Sequence, residues 1–292
     1  MKTPPFEYHR ATSVEEAVAL LAQHGDEAKI LAGGQSLLPM LKFRLARPGV
    51  LVDLGGVREL AYARQTGGIL SFGAMARTIE LESDPVRALC PILSEAATKI
   101  GHATIRHRGT VCGSLAHADP AAELPMLALA LDAEMVVTGP DGARAVPASD
   151  FFVTMLTTSL GPAEILTEAR FPALPPGRGW GFSELSRRPG DFALVAAAVT
   201  LEAGAGIGDG ITHARIVLGA VADRAVRCEE AEAALLGQPG GTAAFAEAAK
   251  LATEKLDPPA DLHASSRYRR HLAKVLVERT LAQAWQRLRP AS

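Results

Sequence analysis

Cysteine is scarce in this sequence: Cys90, Cys112 and Cys228 are the only three among 292 residues, and no C-x-x-C pair occurs. An odd, scattered set is no disulfide framework, and it offers no ligand pattern for zinc or an iron–sulfur cluster. The histidines (His9, His24, His102, His107, His117, His213, His263 and His271) never fall at metal-ligand spacing. No H-E-x-x-H, G-x-S-x-G or G-x-x-x-x-G-K-[ST] motif is present, so neither Ser36 nor Ser114 has the elbow sequence of a nucleophile. Basic runs are missing too, and a formal net charge of −2 gives no reason to expect a nucleic-acid partner. No stretch reaches the roughly 18 apolar residues of a membrane span. Met1-Lys2-Thr3-Pro4-Pro5-Phe6 has no apolar core of a secretion signal. There is no internal repeat and no low-complexity tail. What is present, 48% hydrophobic and 21% charged residues, is the profile of an ordinary soluble chain, long enough for one large domain or two to three small ones. A reduced, cytoplasmic setting is the expectation.

In chain order, Ser13-Val14-Glu15-Glu16 is a capping box with Ser13 at N-cap and Glu16 three residues on. Val14, Ala17, Val18 and Leu21 recur at helical spacing as far as Gly25, a stop signal. A strand near 29–32, a glycine turn, an apolar helical turn through Leu45 and a strand at 50–54 complete a mixed α/β unit, 1–56. A second unit, 57–171, begins with a strand at 69–72 and helical patterns at 78–82 and 91–100. It continues through a second glycine turn, an apolar helix at 123–131, a hairpin of 133–138 and 143–147 about Pro140-Asp141-Gly142, and a closing strand at 164–171. Pro172-Ala173-Leu174-Pro175-Pro176-Gly177 is the clearest linker, and 172–179 joins this unit to a third, 180–292. There a three-stranded meander (181–186, 194–202, 211–221) is followed by helices at 225–236, 242–255 and 266–287. The glycine-rich stretch 204–210 does not fit G-x-G-x-x-G and has strands on both sides, so it reads as a mobile hairpin tip.

Two small-residue turns carry the functional signal. Ile30-Leu31-Ala32-Gly33-Gly34-Gln35-Ser36-Leu37-Leu38-Pro39 runs from an apolar strand into a double glycine. The stretch from Ile105 to Pro125 holds Gly109, Cys112 and Gly113 with the hydroxyls of Thr110 and Ser114. Arg106, His107 and Arg108 lie just upstream, and Asp119 and Glu123 just downstream. Turns of small residues with free N–H groups approach a diphosphate closely, and carboxylates accept from sugar hydroxyls. Each feature also has an ordinary explanation. Gly33-Gly34 suits a strand-to-helix turn that needs positive φ, Arg106 and Arg108 suit solvated surface charges, and Cys112 suits a small buried side chain. Asp119-Pro120 suits the N-cap and N1 of the helix that follows. Phe192, at the end of Ser186-Arg187-Arg188-Pro189-Gly190-Asp191-Phe192, suits the core on composition alone. It is the pair of turns, far apart in sequence and able to clasp one dinucleotide, that favours a ligand.

Ala32-Gly33-Gly34-Gln35-Ser36-Leu37-Leu38-Pro39, Thr110-Val111-Cys112-Gly113-Ser114 with His117-Ala118-Asp119-Pro120, and Arg187-Arg188-Pro189-Gly190-Asp191-Phe192-Ala193 together resemble the flavin-binding medium subunit of molybdenum hydroxylases. That family includes the aerobic carbon monoxide dehydrogenase medium subunit and the flavin domain of xanthine dehydrogenases, and the resemblance spans essentially the whole chain. It implies an α+β fold: a two-subdomain, PCMH-type FAD-binding fold followed by a C-terminal three-stranded antiparallel sheet with a helical bundle. It implies that Ala32, Gly33, Gly34, Gln35 and Ser36 wrap the FAD pyrophosphate, with Ile30, Leu31 and Leu37 as apolar flanks. Thr110, Val111, Cys112, Gly113 and Ser114 meet the same diphosphate and the ribityl region from the other side. Asp119 and Glu123 lie near sugar or ribityl hydroxyls, Ile100 and Leu166 are apolar contacts, and Phe192 sits beside the isoalloxazine. Cys112 departs from the pattern, standing where relatives commonly have glycine, which puts close backbone approach there in question.

The resemblance further implies non-covalent FAD in this chain, with the molybdenum cofactor and [2Fe–2S] clusters on partner subunits only. A small iron–sulfur subunit and a large molybdopterin subunit would complete a heterohexamer of two heterotrimers, cytoplasmic or peripheral to the inner membrane through the complex. Such a chain carries no catalytic residue and no metal of its own: it takes electrons from a partner cluster and hands them to an acceptor. Two other readings stay open at this point, a stand-alone flavoprotein oxidase of the same fold, for which His117 is the only local anchor candidate, and a non-catalytic assembly subunit.

Overall fold

The computed structural model describes residues 2–204 and 210–288. Residues 205–209, most of the expected hairpin tip, lie outside the described residues.

The first unit comprises strand β1 (Glu7–Arg10), helix α1 (Val14–His24), β2 (Ala28–Leu31), α2 (Leu37–Lys42) and β3 (Val50–Asp53). Its strands pair in parallel in the order β1-β3-β2. Ser13 caps α1 by accepting from the Glu16 N–H at 3.2 Å. The Glu16 carboxylate reaches one residue further back than a capping box requires, accepting from both the N–H and the hydroxyl of Thr12 at 2.7 Å. Ala17, Val18 and Leu21 are the buried face, and Gly25 ends the helix at φ +53°. Strand β1 has no counterpart in the sequence reading: Glu-Tyr-His-Arg is polar and mostly exposed, an edge strand without an apolar alternation.

The second unit contains β4 (Ala63–Thr66), β5 (Ile69–Gly73), α3 (Asp84–Leu89), α4 (Pro91–Ala97), α5 (Ala103–Arg106), α6 (Val111–His117) and α7 (Glu123–Ala130). It continues with β6 (Glu134–Gly139), β7 (Gly142–Pro147), α8 (Ala148–Phe151), β8 (Phe152–Thr154), β9 (Thr157–Thr158) and β10 (Ile165–Pro172). Five strands form an antiparallel sheet, β4-β5-β10-β6-β7, with the expected closing strand at its centre. The apolar α7 is buried along almost its whole length, as a helix without a polar face must be.

The third unit is an antiparallel sheet of β11 (Gly179–Ser186), β12 (Ala193–Ala203), β13 (Ile211–Gly219) and β14 (Val226–Arg227), then α9 (Glu229–Leu235), α10 (Thr242–Glu254) and α11 (Ser266–Leu288). The sheet therefore has four strands, not three, because Val226 and Arg227 pair with β13. The same pairing delays the helix expected over 225–236 until Glu229. Strand β12 is buried on both faces, which explains its unbroken apolar run. Ala193, Ala196 and Ala198 pack into the core shared with the first two units. Val195, Ala197, Val199 and Leu201 face α9, α10 and α11 in a second core. Gly181 lets α11 come close, since a β-carbon there would sit 2.5 Å from the Thr280 carbonyl oxygen. Arg287 stacks 3.5 Å over the Trp180 ring and pairs with Glu95 of α4 at 2.9 Å, fastening the third unit to the second.

Candidate cofactor site

The first turn leaves β2 at Leu31 and enters α2 at Leu37. Gly34 has φ +72°, a conformation that an L side chain adopts only with strain. Among the described residues, none accepts a hydrogen bond from the N–H groups of Gly33, Gly34, Gln35 or Ser36. These donors line one short loop, and the flanking Ile30, Leu31, Ala32 and Leu37 are only half-buried.

The second turn is a helix start, not a loop. Thr110 is the N-cap of α6 and accepts from the Gly113 N–H at 3.1 Å, so Val111, Cys112, Gly113 and Ser114 are helical. Thr110, Val111 and Cys112 bury their side chains, whereas Gly113 and Ser114 are half-buried. Cys112 is only 2% exposed, and its thiol donates to the Phe72 carbonyl at 3.4 Å. Burial, and then the Glu168 carboxylate, push that thiol well above the ordinary cysteine range. The extra side chain thus points into the core.

The two turns touch. A β-carbon on Gly33 would lie 2.5 Å from the Arg108 carbonyl oxygen and 2.6 Å from the Gly109 α-carbon. One on Gly113 would meet the Ala32 side chain at 3.7 Å. The Arg77 guanidinium donates to the same Arg108 carbonyl, and the Thr78 N–H donates to the Gly109 carbonyl at 3.0 Å. Sequence reasoning missed Arg77, which no motif marks.

Downstream, Ala118 ends α6 at φ +51°, and Asp119 accepts from the Ala121 N–H at 2.9 Å. Asp119 therefore closes a turn and is not the cap of α7, whose N-cap is Ala122. Glu123, at the first position of α7, is 6% exposed. Its own backbone N–H is the one donor near its carboxyl among the described residues. Burial, with the charges of Glu184 and Asp119 adding to it, pushes Glu123 up to about 8.

The remaining candidates differ in setting. Ile100 is half-buried against the core, and Leu166 in β10 is buried within it. Phe192 is 63% exposed, so the core reading of this aromatic fails; it stands on the β11–β12 connection. Arg106 is not a solvated surface charge. It donates to Glu82 at 2.5 Å and to the carbonyls of Ile100 and Gly101, which fixes the α4–α5 connection. Arg108, by contrast, is exposed. His117 is half-buried, and burial lowers its pKa. No cluster of three or more His, Cys, Asp or Glu suited to a metal occurs among the described residues, and no described helix is long and apolar enough to cross a membrane.

Comparison with known proteins gives this arrangement a context. Residues 4–174 match the family described as FAD binding domain in molybdopterin dehydrogenase, and residues 180–284 match the CO dehydrogenase flavoprotein C-terminal domain. The alpha subunit of the 6-hydroxypseudooxynicotine dehydrogenase complex of Paenarthrobacter nicotinovorans is 44% identical, over 99% of this chain and 98% of the relative. The carbon monoxide dehydrogenase medium chain of Hydrogenophaga pseudoflava is 41% identical over 98% of this chain and 99% of the relative. A solved structure of that organism's carbon monoxide dehydrogenase, lacking the Mo-pyranopterin moiety of the molybdenum cofactor, superposes with a TM-score of 0.95 at 42% identity, covering 98% of this chain and 99% of that one. With both parts matched along nearly its full length, the chain belongs to the family of FAD-binding medium subunits of molybdenum hydroxylases.

Proposed function

We propose that this chain holds FAD non-covalently between its two glycine turns and relays electrons from a partner's [2Fe–2S] cluster to an external acceptor. The observation that carries this reading is the direct contact of Gly33 with Arg108 and Gly109, beside a loop of N–H groups that none of the described residues satisfies. Unpaired N–H groups in a concave loop favour an anion, and diphosphate is the anion of a dinucleotide. The nearly buried Glu123 carboxyl, without a donor from another residue, fits a ligand that brings its own hydroxyls. The residues present therefore fit the cofactor.

In this reading Ala32 to Ser36 and the start of α6 hold the diphosphate, and Asp119 and Glu123 accept from ribityl or ribose hydroxyls. Ile100 and Phe192 offer apolar surface to the ring. Val111, Cys112 and Leu166 keep their side chains in the core and set the rigidity of the cleft floor. Bound flavin supplies the redox chemistry, and the protein orients it. The relatives' own names describe a complex subunit and a medium chain, which supports partner subunits here. We assign the clusters to a small iron–sulfur subunit and the molybdenum cofactor to a large one, two copies of each of three chains, in the cytoplasm or peripheral to the inner membrane. We also divide the chain at 1–56, 57–171, the connection 172–179 and 180–292; the break between the two matched regions, at 174 and 180, supports the last of these boundaries.

The test is purification of the complex containing this chain, with flavin, iron and molybdenum counted per chain. The expected result is one FAD per chain, released on denaturation, and no oxidation of CO or an organic substrate by the metal-free chain alone. Flavin that stays attached after denaturation would favour the oxidase reading, and a flavin-free complex would leave only an assembly role.

A further inference from the structure

The two glycine turns meet against a third segment, Ala76-Arg77-Thr78, which is stitched to the second turn along its length. The Ala76 carbonyl accepts from the Val111 N–H at 3.1 Å, the Thr78 N–H donates to the Gly109 carbonyl at 3.0 Å, and Arg77 bridges to Thr110 in an antiparallel sense. A β-carbon on Gly109 would meet the Thr78 hydroxyl at 3.3 Å on one side and Gln35 of the first turn at 3.6 Å on the other. Between these bonds the Arg77 guanidinium donates through Nη1 to the Arg108 carbonyl oxygen. That is the same oxygen that would lie 2.5 Å from a β-carbon on Gly33. The guanidinium therefore stands where the turns touch, beside the loop whose N–H groups, from Gly33 to Ser36, find no acceptor among the described residues. Arg77 is half-buried, yet among the described residues no carboxylate lies within 4.0 Å of its guanidinium, and the Nη1 bond is the one hydrogen bond its side chain makes. Glu80, three residues on, accepts from the Arg77 backbone N–H at 2.9 Å instead. A neutral amide would hold one carbonyl as well, so packing explains neither the charge nor the donors left over.

We propose that Arg77 supplies the positive charge for the cofactor's diphosphate, binding it together with the N–H groups of the first turn; the proposal rests on the FAD reading above. A diphosphate diester is a dianion, and neutral N–H groups offset its charge only in part. A guanidinium fork matches phosphate oxygens with parallel N–H bonds, about twice as strong as neutral ones. The bond to the Arg108 carbonyl fixes the side chain in advance, so little rotamer freedom is lost when the anion arrives. One group thus has two tasks: Nη1 holds the second turn against the first, and the remaining donors take the diphosphate. The other arginines nearby do not compete for this role. Arg106 is neutralised by Glu82, and Arg108 is exposed. Arg77 combines an uncompensated charge with a position fixed by the backbone it touches.

The experiment uses the purified complex, with flavin content measured first; a wild type that holds no flavin and takes up none refutes the FAD reading and is distinct from failure of the Arg77 assignment. Flavin is then stripped from wild type, Arg77→Gln and Arg77→Lys, and rebinding of FAD and of riboflavin, which has no phosphate, is followed by quenching of flavin fluorescence. Arg77→Gln should weaken FAD about tenfold and leave riboflavin within about twofold. Arg77→Lys, which keeps the charge, should bring FAD back to within about threefold of wild type. FAD affinity should also fall less steeply with added salt in Arg77→Gln than in wild type. Equal losses for FAD and riboflavin, or an unchanged salt slope, would mark a group that only holds the turns together and would overturn the assignment, as would unchanged FAD binding. Where Arg77→Gln does not assemble, phenylglyoxal labelling of the wild type decides. Arg77 should be modified in the stripped complex and protected by inorganic pyrophosphate, and labelling that pyrophosphate does not slow would refute the proposal.

Discussion

The two glycine turns meet at one place, yet they are made in opposite ways. The first is a loop whose N–H groups, among the described residues, have no acceptor and whose flanking side chains are half-buried. Its form depends on having no side chain at Gly33, where another backbone presses in, and on a left-handed Gly34. The second is the start of a helix, with a cap from Thr110, a bond from the Val111 N–H to the Ala76 carbonyl at 3.1 Å, and a buried inner face. One turn is specified by what is missing from its residues and the other by what its residues are bonded to. Substitutions should therefore damage the first by adding atoms and the second by removing hydrogen bonds.

The largest effect is expected at Gly33. Valine there would drive its β-carbon into the Arg108 carbonyl oxygen at 2.5 Å, and neither backbone has room to yield. The turns must separate, at a cost of about 3 kcal/mol from overpacking, and flavin retained by the complex should fall at least about tenfold. Gly34→Ala is the matched control. Its new β-carbon would meet only side chains, Leu38 at 3.0 Å and Leu31 at 3.3 Å, and no backbone, so the cost is chiefly the positive φ, about 1 kcal/mol. Thermal melts and flavin-to-protein ratios of both variants check the ranking. Equal losses would mean that contact between the turns is not what orders the cleft.

A smaller effect is expected at Thr110, the side chain on which the second turn depends. Thr110→Val keeps the shape and removes the acceptor for the Gly113 N–H, costing about 1 kcal/mol, while Thr110→Ser keeps the bond and should lie close to wild type. Flavin retention should fall only a few-fold in the valine variant, because the helix start loosens without being blocked. Denaturant melts of the three forms decide it. If serine falls further than valine, packing of the buried methyl outweighs the cap.

The same contrast governs what could be seen without coordinates. Strands with an apolar signature, such as β12 and β10, are evident because burial on one or both faces writes itself into composition. Edge strands β1 and β4 are silent, since Ala63–Thr66 is exposed throughout and is held by pairing with β5 and by the Arg64–Glu168 ion pair, neither of which its composition marks. The seven-residue α6 is too short for its periodicity to outweigh Gly113, so a helix start passes for a loop. Arg106 shows the limit for single charges: its burial follows from Glu82 and two carbonyls brought in by tertiary folding. Arg77 left no trace in the pattern either, because an isolated charged residue beside a turn is ordinarily solvated.

The smallest effect is expected at Cys112, and its smallness is informative. Were this side chain directed into the cleft, a thiol in place of the family's glycine would hinder the diphosphate, and trimming it would improve flavin binding. Its Sγ instead lies in the core, where it donates to the Phe72 carbonyl. Cys112→Ala should therefore leave flavin affinity within about twofold and cost about 1 kcal/mol of stability from the small void behind it. The thiol, raised first by burial and then by Glu168, should resist iodoacetamide in the folded chain and react only after denaturation. A gain in flavin affinity on shortening Cys112, or prompt labelling of its thiol in the native state, would place that side chain in the cleft and erase the distinction between a turn set by absence and one set by bonding.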